Sequence, residues 1–161
     1  MCFAIDAAMD MVNMSIELVE ETGDSSYYMN SMKLHKLLYL SQCAMLKDHS
    51  HTLFRDKIRA SFCGPYVEGI DKIAAKRGFD LIKEPFTAEA DGFVPPSVAR
   101  RDILKKILIK FGRKTAEELI QHTKDTGPYR KVKAMEEITQ THKPEITCEI
   151  MREEAVQLQA G

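Results

Sequence analysis

The residue best suited to covalent chemistry in this sequence is Cys63, which stands immediately before Gly64-Pro65. A glycine-proline pair is typical of a helix start, and cysteines at helix N-termini serve as nucleophiles in many enzymes. A nucleophile also needs a base, and no sequence signature marks a partner histidine for Cys63. A structural cysteine is therefore the favoured interpretation. We predict no catalytic residue and no enzymatic activity.

A metal centre is the second chemistry to weigh. His49 and His51 are two residues apart, with Cys43 and Cys63 in the wider neighbourhood. Structural zinc sites show paired cysteine or histidine spacings at both ends of a loop, and this pattern is missing. The glycine-rich phosphate-binding motifs are missing as well. The sequence therefore predicts no metal and no cofactor.

Composition limits the classes of partner. The 161 residues include 24 acidic and 23 basic side chains, for a net charge of -1. A protein that grips a nucleic-acid backbone needs an excess of Lys and Arg, so this class is disfavoured. The four scattered cysteines favour a reduced, intracellular protein over a disulfide framework. Asp6 and Asp10 interrupt the first apolar stretch, which argues against a signal peptide, and no membrane span is expected. We expect a soluble, cytoplasmic protein.

Hydrophobic periodicity predicts a mainly helical chain. Apolar residues recur three or four positions apart over Met1–Glu21, and over Lys33–Lys47 they cover most of the helix circumference, as in a central helix. Further helices are expected after a Ser97 cap and after a Thr115 capping box with Glu118. Two more are expected at Tyr129–Met135 and beyond Pro144, the last with Ile150, Met151 and Ala155 on one side.

A small antiparallel β element interrupts the predicted helices. Ile58, Ala60 and Phe62 alternate with polar residues, which indicates a strand over 57–62 with these three side chains inward. Residues 81–86 are the candidate partner strand. Between them, Gly64-Pro65 is expected to open a short helix that Gly78 closes. No linker or repeat divides the chain, so residues 1–161 are predicted to form a single domain.

The first helix is rich in methionine and carries no basic residue. Met9, Met11 and Met14 crowd it, and up to Ser31 every charged side chain is acidic. Core filling is the default interpretation, and an adaptable partner-binding face is the alternative. The charge asymmetry leads us to expect this helix in the binding face. The basic clusters around Arg100–Lys106 and Arg130–Lys133 are expected to be exposed helix faces rather than a nucleic-acid footprint.

Three segments, in order, resemble the Panacea-domain family of antitoxin and phage-associated proteins. Lys33–Gln42, KLHKLLYLSQ, is similar to the family helix L-K-L-Q-K-L-L-Y-F-A-Q. Ile58–Val67, IRASFCGPYV, is similar to I-x-A-W-x-Y-G-P-V-V, and Thr115–Tyr129 resembles the closing element of the domain. Ser61, Lys124 and Tyr129 stand where Trp, His and Trp are usual, so the chain resembles a divergent member. The resemblance covers nearly the whole chain.

The resemblance implies an antitoxin that neutralises a co-encoded toxin by direct binding, and in some members the antitoxin also presents the toxin to a protease. The alternative is a phage or prophage accessory protein that binds a host protein. A Cys63-dependent enzyme and a DNA-binding autoregulator are less favoured. The identity of the toxin and the oligomeric state stay open. Partner contacts are expected at the polar residues of the matched motifs, namely Lys36, Tyr39, Gln42, Tyr66, Thr123 and Tyr129.

Overall fold

A computed structural model describes residues 2–154 of the chain. Over this range the chain forms eight α-helices, a short 3₁₀ turn and one β-hairpin, so the predicted mainly α class with a small antiparallel β element is confirmed. In chain order the elements are α1 Ala4–Thr22, the 3₁₀ turn Ser25–Tyr27, α2 Ser31–His49, β1 Ile58–Ser61, β2 Gly64–Val67, α3 Asp71–Arg77, α4 Ala88–Asp91, α5 Val98–Phe111, α6 Ala116–Lys124, α7 Gly127–Thr139 and α8 Cys148–Glu153.

Helix α2 is the central element. Its N-cap is Asn30, whose side chain accepts a hydrogen bond of 2.9 Å from the backbone N–H of Lys33. Every residue from Lys33 to Leu46 is buried, because α1, α5, α6, α8 and the hairpin all pack around this helix. Polar side chains on α2 are therefore buried together with the apolar ones, and each needs a hydrogen-bond partner inside the protein.

Helix α1 places its methionines in the core. Met9, Met11 and Met14 are all buried, so the expected Met-rich binding face is wrong and the default interpretation, core filling, is correct. One acidic residue of the helix is also buried. The Asp10 carboxylate is buried and accepts a 3.1 Å hydrogen bond from Arg101 Nε on α5. Burial of this carboxyl raises its pKa, and the Arg101 guanidinium opposes that shift.

The β element is a hairpin of adjacent segments. β1 pairs antiparallel with β2, with Ile58 opposite Val67 and Ser61 opposite Gly64, and Phe62-Cys63 form the turn. The predicted helix start at Gly64-Pro65 is therefore wrong, since these residues begin β2. The inward position predicted for Phe62 is also wrong. Its side chain is 84% exposed because the alternating strand ends at Ser61, one residue earlier.

Pro65 fits the hairpin because of its register. It lies opposite Ala60, whose N–H points away from β2 and donates to the carbonyl of Pro144 at 2.8 Å. A proline lacks an N–H and is tolerated in a strand where no ladder bond is required of it. The outer edge of β1 continues into the 144–146 segment, where the Ile146 N–H donates to the Ile58 carbonyl at 2.8 Å.

The candidate strand at 81–86 does not pair with β1, which corrects that prediction. Ile82 instead forms an isolated bridge with Met29, before α2. Ile82 and Phe86 are buried, whereas residues 83–85 between them are all exposed, so the segment does not alternate as a strand would. The loop predicted over 87–96 contains the short helix α4.

Other helix boundaries follow the predicted signals. The α5 stripe is buried, Gly112 follows the helix, and the Thr115–Glu118 capping box is formed in both directions. Ser97 occupies the N-cap position of α5 without a capping hydrogen bond. Helix α8 follows Pro144 as predicted, whereas Ala155, predicted on its apolar side, lies outside the described residues. Within residues 2–154 no helix is long and apolar enough to cross a bilayer.

Candidate functional site

The six residues predicted as partner contacts lie on the elements that meet at the hairpin. Helix α2 carries three of them, and β2, α6 and α7 carry one each. Five of the six are buried and form hydrogen bonds within the chain, and Tyr66 is half-buried. The buried five are Lys36, Tyr39, Gln42, Thr123 and Tyr129.

These buried polar groups tie the hairpin and the preceding loop to the helices. The Gln42 amide accepts from the Leu53 N–H at 2.7 Å and donates to the Phe54 carbonyl at 3.0 Å. The Tyr129 hydroxyl donates to the Ser61 carbonyl at 2.5 Å, at the end of β1. Hydrogen bonds of this kind favour one packing arrangement, because a buried polar group without a partner raises the free energy of the folded state. Whether any of the five touches a partner stays a prediction.

The remaining two buried hydroxyls belong to Tyr39 and Thr123, and Thr123 lies beside Gly64 of the hairpin. Tyr39 and Thr126 share a hydrogen bond of 2.6 Å between their side-chain oxygens. Burial raises the pKa of the Tyr39 phenol well above its usual value, so the group stays neutral. Thr123 donates to the Leu119 carbonyl at 2.7 Å within α6.

A cavity of about 300 Å³ opens between α2, the hairpin and α3. Tyr66 lies in its wall, with its ring stacked on the His35 ring at a centroid distance of 4.5 Å. The Tyr66 hydroxyl donates to the Asp71 carboxylate at 2.5 Å. The cavity is lined by Ser31, Met32, His35, Lys36, Ser61, Cys63, Tyr66, Ile70, Asp71, Ala74 and Phe79.

His35 is a site residue that the sequence did not reveal. Its Nδ1 accepts a hydrogen bond of 2.9 Å from the backbone N–H of Val67, on the outer edge of β2. An imidazole nitrogen that accepts from an N–H cannot carry a proton, so in the neutral ring the proton is on Nε2. Burial is the main reason that the pKa of His35 falls to about 4, and nearby Lys36 lowers it further. The ring is therefore neutral at pH 7, with one fixed donor.

Lys36 lies next to His35 and is 1% exposed. Its ammonium donates to the Pro65 carbonyl at 3.1 Å, and among the described residues no carboxylate lies within 4 Å of it. Burial lowers the pKa of the Lys36 ammonium to about 8. Gly64 allows this close approach, since a Cβ at its position would lie 3.3 Å from Lys36 Cε.

Cys63 is exposed at the hairpin turn and lines the same cavity. The hypothesis of a nucleophile at a helix N-terminus loses its structural basis, because a strand follows Cys63. The lone pair of the His35 ring is also occupied by the Val67 N–H, which leaves this neighbouring histidine unable to act as a base in that geometry.

Two exposed aromatic side chains flank the cavity. Phe62 is 84% exposed and Phe79 is 80% exposed. The Lys124 ammonium lies 5.4 Å from the centroid of the Phe62 ring, over its face. We call the surface formed by Phe62, Cys63, Tyr66 and Phe79 the hairpin surface.

The histidine pair considered for a metal is at the end of α2. The His49 and His51 rings have centroids 5.9 Å apart. In the part of the chain that the structure describes, no group of three or more His, Cys, Asp or Glu side chains could hold a metal ion.

Comparison with known proteins gives one match. The family model described as "Antitoxin SocA-like, Panacea domain" matches residues 34–130, which is more than half of the chain and includes all six predicted contact residues. Neither a curated protein nor a solved structure matches the chain.

Proposed function

The chain belongs to the SocA-like antitoxin family with a Panacea domain, and from this premise we propose that it neutralises a co-encoded toxin by binding it directly. The observation that carries the proposal is the family match over residues 34–130. This span contains most of the central helix, the whole hairpin and every cavity-lining residue except Ser31 and Met32. Binding of a protein partner requires an accessible surface inside or beside this span.

The hairpin surface is the proposed contact region. Phe62 and Phe79 are exposed aromatic residues, and aromatic side chains contribute disproportionately to the binding energy of protein interfaces. The hydrogen bond of Tyr129 holds the hairpin, and those of Gln42 hold the loop that precedes it. A rigid platform keeps its exposed side chains in position before binding, which lowers the entropy lost on association.

Co-expression tests the proposal. The chain and the product of the neighbouring gene are expressed together and separately, and growth and co-purification are measured. We expect the neighbour to arrest growth alone and to be rescued and retained on the tagged chain. Absence of both rescue and co-purification would overturn direct neutralisation.

Surface variants locate the contact. Replacement of Phe62 and Phe79 together by Ser is expected to weaken the complex by at least about 100-fold, as for hot-spot aromatics. Ile138→Ser is the matched control, since Ile138 is also 84% exposed but lies on α7, outside the family match. Equal affinity of the double variant and the control variant would place the interface elsewhere.

Presentation to a protease is a separate part of the proposal, supported by the family alone. The lifetime of the toxin after translation is stopped tests it. We expect the toxin to disappear faster in the presence of the chain and to persist in a protease-deficient host. An unchanged lifetime with growth rescue would leave binding as the mode of neutralisation and exclude presentation.

We propose binding without catalysis. Cys63→Ser removes the one exposed thiol of the described residues and is expected to preserve growth rescue. Loss of rescue by this variant, with the toxin complex intact, would indicate cysteine chemistry.

A further inference from the structure

The floor of the cavity holds two buried donors. His35 is 8% exposed, and its Nε2–H makes no hydrogen bond among the described residues. The Lys36 ammonium has three N–H groups, and the Pro65 carbonyl accepts from one of them. Both side chains line the cavity. The His35 Nε2 atom is reached by solvent, so an acceptor atom of a ligand would replace water there.

The charge at this floor is positive. The His35 ring is neutral because its pKa is about 4, whereas Lys36, with a pKa of about 8, is mainly protonated at pH 7. Among the described residues, Asp71 is the one carboxylate of the cavity lining; it is exposed, bonds to the Tyr66 hydroxyl, and slightly offsets the lowering of the His35 pKa. The floor thus presents one positive charge and a neutral donor beside it.

The walls are mainly apolar. Met32 on α2, Ile70 before α3, Ala74 on α3 and Phe79 beyond it surround the space above the donors. Its volume of about 300 Å³ is at the small end of ligand pockets. The fitting ligand is therefore small, apolar at its outer part and negatively charged at its inner end.

We propose that this cavity binds a monocarboxylate with a short apolar stem. One carboxylate oxygen accepts from the Lys36 ammonium, the other accepts from His35 Nε2–H, and the stem packs against Met32, Ile70 and Phe79. A single negative charge matches the single positive charge of the floor. Charge-assisted bonds to a buried ammonium are the stronger kind, so Lys36 supplies most of the affinity.

Two sources could supply this carboxylate. One is an acidic side chain or chain terminus of the protein partner, and the other is a free small carboxylate. The chemistry at His35 and Lys36 is the same for both. The site itself is tested on the chain alone, so its failure and the failure of toxin neutralisation are distinguishable.

Sodium pentanoate is the probe, with pentanamide as a neutral match and inorganic phosphate as a second anion. Binding to the ¹⁵N-labelled full chain is followed by the ring nitrogen signals of His35. We expect a saturable shift at Nε2 with a dissociation constant on the order of millimolar, typical of so small a ligand. We expect no response to pentanamide and at least about tenfold weaker binding of phosphate. No saturable shift, or equal responses to all three probes, would overturn the proposal.

Lys36→Met keeps the length of the side chain and removes its charge. We expect pentanoate binding to weaken at least about tenfold. His35→Asn keeps an acceptor at the position of Nδ1 and removes the Nε2 donor, so for this variant, followed by calorimetry, we expect a smaller loss. Lys33→Met is the control, because Lys33 is also buried on α2 but lies outside the cavity lining. Thermal unfolding curves confirm that each variant is folded. Unchanged binding to folded Lys36→Met would overturn the proposal.

Competition then identifies the source. If the partner supplies the carboxylate, pentanoate displaces the co-purified partner and Lys36→Met weakens the complex. If a free carboxylate is the ligand, the chain binds pentanoate, but neither pentanoate nor Lys36→Met changes the affinity of the chain for its partner. Both outcomes support a carboxylate site, and pentanoate that neither binds nor competes would refute it.

Discussion

Two lysines one turn apart on α2 show two ways of burying a positive charge. The Lys33 ammonium donates to the carbonyls of Ser26, Tyr28 and Gly112 at 3.0, 3.2 and 2.7 Å. Among the described residues the Lys36 ammonium donates only to the Pro65 carbonyl, and the Lys36 side chain lines the cavity. Burial lowers the pKa of each to about 8.

The difference separates a structural group from a binding group. All three N–H groups of Lys33 have carbonyl partners, and one of these belongs to Gly112, at the end of α5. Cations are favoured at helix C-termini, so Lys33 stabilises the contact between α2 and α5. Two N–H groups of Lys36 have no hydrogen-bond partner among the described residues and are available to a ligand. The same residue type on the same buried helix thus serves the fold at one position and offers a site at the other.

The largest expected effect concerns stability. Lys33→Met leaves three carbonyls without their donor, and we expect the free energy of unfolding to fall by about 3 kcal/mol. Lys36→Met leaves one carbonyl without its donor and also removes a buried charge. We therefore expect the free energy of unfolding to fall by about 1 kcal/mol or less. Urea denaturation followed by circular dichroism measures both. Equal losses for the two variants would show that Lys33 and Lys36 contribute equally to stability, against the distinction drawn between them.

Gly64 tests how closely the hairpin must approach Lys36. Its φ of +98° favours glycine, and an added Cβ would meet both Lys36 and Thr123 at 3.3 Å. We expect Gly64→Ala to lower the free energy of unfolding by about 2 kcal/mol, from backbone strain and contact together. Gly23→Ala is the control, with a positive φ and open space around it. We expect about 1 kcal/mol there, and an equal or smaller loss at Gly64 would contradict the close packing.

The charge of Lys36 makes ligand binding depend on pH. Because the folded pKa is about 8, the ammonium is mainly charged at pH 7 and about nine-tenths neutral at pH 9. The carboxylate stays ionised throughout, and His35, Cys63, Tyr66 and Asp71 are the other titratable groups among the described residues of the cavity lining. Pentanoate affinity is therefore expected to fall about tenfold between these two pH values, equivalent to about 1.4 kcal/mol. Calorimetry at both pH values measures it, with Lys36→Met as the pH-independent reference. Constant affinity of the wild-type chain would refute a charged Lys36 in the site.

The smallest effect distinguishes buried from accessible hydroxyls among the predicted contacts. Tyr39→Phe removes a buried hydrogen bond to Thr126, and we expect a loss of about 1 kcal/mol in unfolding free energy. Tyr66→Phe removes a bond to the exposed residue Asp71, where water replaces it, so less than about 0.5 kcal/mol is expected. Chemical denaturation compares the two variants. A larger loss for Tyr66 would make it the structural residue of the pair.

The sequence predicted the elements whose signals are local. The α5 stripe, the capping box of Thr115 with Glu118 and the central position of α2 all follow from periodicity and spacing. The sequence predicts the first strand of the hairpin, over 57–62, but not its partner. A glycine-proline pair can begin a helix or a strand, and only the pairing of β1 with β2 decides between them. The register that places Pro65 where no backbone hydrogen bond between the strands is required cannot be read from the local sequence.

The sequence identifies only part of the cavity lining, again because some of its residues depend on contacts that are distant along the chain. The resemblance singled out Lys36 and Tyr66, which line the cavity, together with Tyr39, Gln42, Thr123 and Tyr129, which do not. His35 was missed because its role depends on the Val67 N–H, 32 residues away along the chain. The one available signal was a histidine beside a lysine in a helix that is apolar on nearly every side. Such a helix buries its polar residues, and buried polar residues need partners.

The segment at 144–146 has a consequence for how this protein can be divided. It covers the outer edge of β1, yet it lies beyond the 34–130 span that defines the family match. A chain that ended before residue 144 would present the Ala60 N–H and the Ile58 carbonyl as an open strand edge. Open edges recruit other strands, so such a fragment would tend to associate edge to edge with copies of itself. The 144–146 segment, which lies outside the family match, thus protects the edge of β1 from pairing with a strand of another chain.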